Sequence, residues 1–275
     1  MKKLVIGILC AGMVLSSAAC GGNSSSGSAS GGGATAAAQT EAAKLDPKEV
    51  YSEAMKKNAE LKSMDMSMDI NMDMKMGEES MEMAMEMDMK ADGYKTDDIK
   101  CLITNTTSAQ GESIEMTMFY TDGYYYMDAM GQKVKYAMDA ADMSEQAASS
   151  AGMGVDVAWM SDISLEEKGE DKHITFTGDP SKMDSFVEEI LASSGSGMEG
   201  MEMTLKSVSG ECLVGADGYL KSENLTMEIE VAAQGQTASM VMEMTVVYNN
   251  PGQPVTIELP STDGYTEVDA SALQQ

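Results

Sequence analysis

Arginine is absent from the chain, which holds one histidine (His173), one tryptophan (Trp159), three phenylalanines and five prolines. Without arginine there is no planar fork to grip phosphate or carboxylate groups, which argues against a polyanionic ligand. The 18 lysines are outnumbered by 45 acidic residues, for a formal net charge of −27. Nucleic acid and anionic membrane surfaces both demand a basic patch, so neither is an expected partner. Motifs that carry chemistry are scarce too. One histidine, no Gly-rich phosphate loop and no Gly-x-Ser-x-Gly leave no nucleophile with its base. Paired carboxylates abound, but 45 acids on a solvated face produce them by chance. The expectation is therefore no enzyme activity, no catalytic residue, no cofactor and no dedicated metal site. His173, beside Lys172, reads as a strand-surface residue.

Long apolar runs are also missing. The longest, residues 4–15, is too short to span a bilayer, which needs about 20 apolar residues. It follows Lys2 and Lys3 and leads through Ser16, Ser17, Ala18 and Ala19 into Cys20. This is the layout of a secretory signal. It reads as a lipobox, with Ser17 where leucine is usual three residues before the cysteine. Residues 1–19 are then a lipoprotein signal peptide and Cys20 carries a diacylglyceryl group; plain secretion with cleavage after Ala19 is the alternative. Two acyl chains suffice for stable anchoring, where one is marginal. The Gly/Ser run at 21–33 cannot bury apolar surface and behaves as flexible coil, so residues 20–45 form a tether on the order of 25–30 Å across. The protein is expected outside the cytoplasmic membrane, held to the bilayer through Cys20, as a monomer. Residues 46–269 are read as one β domain and 270–275 as a tail. Among the four cysteines, Cys101 and Cys212 remain as a disulfide pair in a permissive compartment, or as two separately buried thiols.

What the chain has in excess is methionine, thirty in all. Met64, Met66, Met68, Ile70, Met72, Met74 and Met76 occupy every second position, and Met81, Met83, Met85, Met87 and Met89 resume the alternation after a short break. A period of two means strand, one face apolar and the other charged. The parity change across the break suits a hairpin, and pairing Met76 with Met81 puts every methionine on one face. The device recurs in Leu225, Met227, Ile229 and Val231 followed by Met240, Met242, Met244, Val246 and Tyr248. Asp-Gly-Tyr occurs four times, beginning at Asp92, Asp122, Asp217 and Asp263, and Asp-Gly suits tight turns that lead into a strand. Further strands are expected at 99–104, 113–120, 124–127, 133–138, 163–168, 173–177, 201–208, 211–216 and 255–259. Asp46-Pro47 opens a helix to about Lys62, and Asp179-Pro180 opens another to about Ser193 with Met183, Phe186, Val187, Ile190 and Leu191 as its stripe. Residues 140–160 read as a loose helix holding Trp159, a candidate lid. The fold class is mainly β (α+β).

The order of signal, tether, amphipathic helix and long antiparallel strands with a helical insertion resembles the LolA/LppX/LprG-like lipoproteins. Asp217-Gly-Tyr-Leu-Lys, the strands 225–231 and 240–248, and Pro254-Val-Thr-Ile-Glu-Leu-Pro260 look like the C-terminal part of uncharacterised Gram-positive lipoproteins of that type. The resemblance covers about residues 46–269 and rests on strand order and turns. It implies a strongly curved antiparallel sheet, a half-open barrel of about 10–12 strands, with two or three helices covering the concave face and a cavity for lipid or lipid-linked cargo. The departure is methionine where leucine, valine and phenylalanine are usual.

An apolar sheet face must be covered, and methionine's flexible thioether suits irregular or promiscuous partners. The reading is a carrier of a hydrophobic, lipid-like molecule. Its candidate binding residues are Met66, Met68, Met72, Met74, Met83, Met85, Met87, Met116, Met118, Met227, Met242, Met244 and Trp159. The alternatives are an envelope structural or accessory lipoprotein with a closed Met core, and Cu(I) binding by thioethers, which are soft ligands.

Overall fold

The computed structural model describes residues 45–94, 96–151, 155–183, 202–233 and 236–269. The signal, Cys20 and the Gly/Ser run lie outside them. Helix α1 (Pro47–Ala59) begins as the residues dictate. Asp46 caps it by accepting the Lys48 N–H at 2.9 Å, and Pro47 takes the first position, where no N–H is needed. Among the described residues twelve strands follow: β1 (Ser63–Met76), β2 (Glu79–Asp92), β3 (Lys100–Ala109), β4 (Glu112–Thr121), β5 (Tyr124–Ala129), β6 (Gln132–Ala137), β7 (Met160–Lys168), β8 (Asp171–Gly178), β9 (Glu202–Val214), β10 (Leu220–Ala233), β11 (Gln236–Tyr248) and β12 (Thr266–Glu267). Helix α2 (Ala140–Ala151) lies between β6 and β7.

All twelve strands form one sheet in the order β12-β6-β5-β4-β3-β2-β1-β11-β10-β9-β8-β7. Its end strands, β7 and β12, do not pair with each other, so the barrel stays open. The sheet is nevertheless curved enough for Tyr125 of β5 and Ile174 of β8 to share one core with Tyr51, Met143 and Met160. This is the half-open barrel that the resemblance implied. Every ladder is antiparallel except that of β12, which pairs parallel to β6.

The long hairpin forms in a register two residues from the expected one. Met76 faces Glu79 and Met74 faces Met81, so that Met72 meets Met83, Ile70 meets Met85 and Met68 meets Met87. Gly77, at φ +64, takes the first of two central turn positions and allows a tighter loop than four residues. A slip of two keeps every side chain on its face, which is why the alternation could not distinguish the registers.

Other elements differ from expectation for local reasons. The two strands expected at 201–208 and 211–216 are one, β9. Ser209-Gly210 reads as a turn, but Gly210 stays in the ladder because the Phe176 ring lies on it, leaving no room for a Cβ. Within β9 an extra residue at Lys206 shifts the pairing with β10 and lets Leu205 and Val208 both face the core. Residues 255–259 join no ladder. Bracketed by Pro254 and Pro260, this segment belongs to a strap that leaves β11 at Asn249, whose N–H donates to the Asp65 carbonyl, and crosses the convex face. It ends where Tyr265 meets Phe119 and Tyr126 edge-on, just before β12. Of the helix expected at 140–160, the described residues show Ala140–Ala151 as α2, whereas residues 155–159 are not helical and Met160 already begins β7. After Asp179-Pro180 the structure shows a 3-10 turn, Pro180–Lys182. The remainder of that expected helix, with Phe186, Val187, Ile190 and Leu191, lies outside the described residues.

Candidate functional site

The concave face can be read directly from cross-strand pairs, since directly opposed residues share a face. One row runs Leu165, Ile174, Cys212, Glu223, Val246, Met68, Met87, Asn105, Met116, Ala129. Another, nearer the far end of the strands, runs Val208, Met227, Met242, Met72, Met83, Ala109. The twelve candidate methionines all stand on this face. Trp159, in the segment before β7, is half-buried and packs against the same core.

Burial divides these residues. Met66, Met68, Met227 and Met244 are buried, Met66 to 1 % exposure. Met72, Met83, Met85, Met87, Met116, Met118 and Met242 are half-buried. At the hairpin tip Met74 and Met76 reach 36 % and 43 % exposure. The wall therefore has a packed base and an open mouth. The covering elements explain the base. Among the described residues α1 packs on β7, β9 and β10, and Tyr51, Ala54, Met143, Val155 and Met183 join the core there. Lys48 fastens α1 to the segment before β7, donating to the carbonyls of Val157 and Met160.

The base contains a polar cluster that the methionine pattern did not announce. Glu223, 2 % exposed, stands on the concave face between Val246 and Cys212. The Tyr51 hydroxyl donates to its Oε1 at 2.8 Å and accepts the Val155 N–H at 3.1 Å. Burial pushes the Glu223 carboxyl up to about 7, against the opposing pull of the Tyr51 bond. Burial, reinforced by Glu223, holds the Tyr51 phenol far above its ordinary range. Asn58 completes the attachment of α1: its side chain donates to the Leu220 carbonyl at 3.0 Å and accepts the Leu220 N–H at 3.1 Å. A signal for Glu223 did exist. It extends the odd-numbered series Leu225, Met227, Ile229, Val231 by one step and so had to share their face. Tyr51 stood on the expected helix stripe, but its partner is visible only in three dimensions.

Cys101 and Cys212 are free, buried thiols, and burial pushes both up to about 12. His173 lies across the sheet from the methionines, its Nε2 at 2.9 Å from the Glu211 carboxylate. A groove of about 710 Å³ on the convex side is lined by Asp65, Asp88, Lys90, Thr104 and Glu258 among others. These side chains make it a wet groove under the strap, unlike the thioether wall opposite. No helix among the described residues is long and apolar enough to cross a membrane.

A family model described as a family of unknown function, DUF6612, matches residues 46–262. No curated protein matches the chain. Similar solved structures include LprF from Mycobacterium bovis, 11 % identical, with a TM-score of 0.42 over 78 % of this chain and 97 % of that one. A DUF1329 family protein from Desulfovibrio piger is 11 % identical, with a TM-score of 0.26 over 76 % of this chain and 96 % of its own. A β-barrel-like DUF1849 protein from Brucella abortus is 8 % identical, with a TM-score of 0.24 over 69 % and 100 %.

Proposed function

Because the chain belongs to DUF6612, a family of unknown function, its role has to be read from its own residues, and we propose that it binds a hydrophobic, lipid-like molecule on the concave face. In this reading Cys20 carries the lipid anchor and the Gly/Ser run lets the domain work outside the cytoplasmic membrane at tether's length. One observation carries the proposal: the same continuous apolar wall that is packed at its base is half-exposed at Met72, Met83, Met85 and Met242 toward its mouth. A contiguous apolar surface left partly open marks a binding site more often than an idle face. Unbranched thioethers adapt to guests of irregular shape. Purification of the full chain followed by native mass spectrometry and lipid extraction tests this. A co-purifying apolar guest, or saturable uptake of an apolar dye, is the expected result. Absence of both would leave the closed-core alternative standing.

A second reading draws on a separate feature of the mouth. Met81, Met74 and Met240 are directly opposed across three strands, as are Met83, Met72 and Met242. Six thioethers at neighbouring positions, with Cβ separations of about 4.5–5.5 Å between direct partners, could converge on a soft ion such as Cu(I). A Cu(I) titration against a competing chelator decides it, and a failure to compete would end this reading without touching the first.

A further inference from the structure

The apolar wall ends in hydroxyl groups, and one of them has no partner. Tyr94, which follows β2, belongs to the core at 7 % exposure, and its hydroxyl is buried without a hydrogen bond. Such a group is destabilising where it stands, since phenylalanine would fill the same space without the loss. Cys101 and Tyr248 lie close enough to act on it electrostatically, and Tyr248 in turn lies within the influence of Glu223. Cys101 and Tyr248 both face inward, opposite Ala91 and Met66 respectively. From β11 across β1, β2 and β3 to β4, the concave rows hold no lysine among the described residues. Among the described strand residues this end of the face therefore offers a phenol and a carboxyl and no lysine.

We propose that the hydrophobic ligand is an amphiphile with an uncharged, oxygen-bearing head, such as a hydroxyl or an ester, which hydrogen-bonds the Tyr94 hydroxyl while its tail lies along the methionines toward the mouth. Glu223 sets the sign of the selectivity. An anionic head brought to this end would be buried on strand rows that hold no lysine among the described residues, on the same wall as the buried Glu223 carboxyl, whereas a neutral head satisfies the orphan hydroxyl without burying a charge. The inference rests on the hydrophobic-ligand reading and adds to it the chemical class of the head.

The test uses the full chain preloaded with an apolar fluorescent dye and displaced by two probes of equal length, 1-dodecanol and dodecanoate, at pH 8. Dodecanol is expected to displace the dye at a concentration at least tenfold lower. In Tyr94→Phe the dye should bind as before while dodecanol weakens about fivefold, the size of one ordinary hydrogen bond. Glu223→Gln should narrow the gap between the probes by improving dodecanoate, and it keeps the test open if the first variant folds poorly. Equal displacement by both probes, or unchanged dodecanol affinity in Tyr94→Phe, means that the hydroxyl holds a water at most, and overturns the inference while the hydrophobic-ligand reading survives. Failure of the dye itself to bind removes both.

Discussion

The base and the mouth of the concave wall are made of the same strands and the same residue, yet they differ in what methionine does. At the base Met66 and Met89 are buried in the core that Tyr51 of α1, Met143 of α2 and Val155 also join, whereas Met74 and Met76 at the tip of the same hairpin remain exposed. Alternation thus determines which way a side chain points, and the covering elements determine how deeply it is buried. Truncation should separate the two regions most sharply. Met89→Ala removes a fully buried side chain and should cost roughly 2–5 kcal/mol by the transfer and cavity terms. Met74→Ala removes an exposed one and should cost less than about 0.5 kcal/mol, yet it should weaken apolar dye uptake. Urea denaturation midpoints read the first effect and dye titration the second. Equal destabilisation by the two variants would mean that the mouth is packed as tightly as the base, and the division would be lost.

A smaller effect comes from the one buried carboxyl on that wall among the described residues. Glu223 keeps its proton in the folded protein up to about pH 7, whereas an unfolded glutamate releases it near 4.3. Its stabilising contribution is therefore complete below about pH 4, fades as the pH rises to 7, and is absent above that. The full loss is on the order of 3 kcal/mol. Glu223→Gln should flatten the stability profile between pH 4.5 and 7 and exceed the wild type above pH 7. Thermal melting across that range measures it. Because Tyr51 ties this carboxyl to α1 and to Val155, the slope belongs to the base. A mouth variant such as Met74→Ala should leave it unchanged.

These two regions also mark how far the amino-acid sequence could be read. Period-two runs such as 64–76 and 225–231 announce strands, their inward face and their hairpin connection, because side chains on extended backbone project alternately. The same periodicity is blind to a slip of two, so the pairing of Met74 with Met81 depended on Gly77 and the loop it permits. Depth of burial depends on what packs above the strand, and nothing in Met72 or Met66 distinguishes them before α1 is in place. Gly210 looked like a turn because the ring that occupies its missing Cβ comes from Phe176, 34 positions away. The polar cluster was half legible. Glu223 fell in phase with an apolar series, but only the folded chain brings Tyr51, 172 positions away, within 2.8 Å of it.

The faintest contrast is between the two faces of the same two central strands, β1 and β2. Opposite the thioether wall, the convex face sets like charges directly across from one another, Asp69 facing Glu86 and Asp73 facing Glu82. Directly opposed like charges in an antiparallel pair are destabilising, by roughly 0.2–1 kcal/mol each. All four side chains are exposed, so salt should screen the repulsion within a Debye length of about 10 Å at 0.1 M. Glu86→Lys replaces one repulsion with an attraction and should raise the melting temperature slightly at low ionic strength, with the gain shrinking as salt is added. A substitution on the concave side, such as Met85→Leu, should show no such salt dependence, since the two faces would then be answering to different forces: charge screening outside, apolar packing within. If Glu86→Lys were neutral at every salt concentration, the acidic ladder would be relaxed by side-chain motion, and the net charge of −27 would bear on solubility and steering rather than on the stability of the sheet.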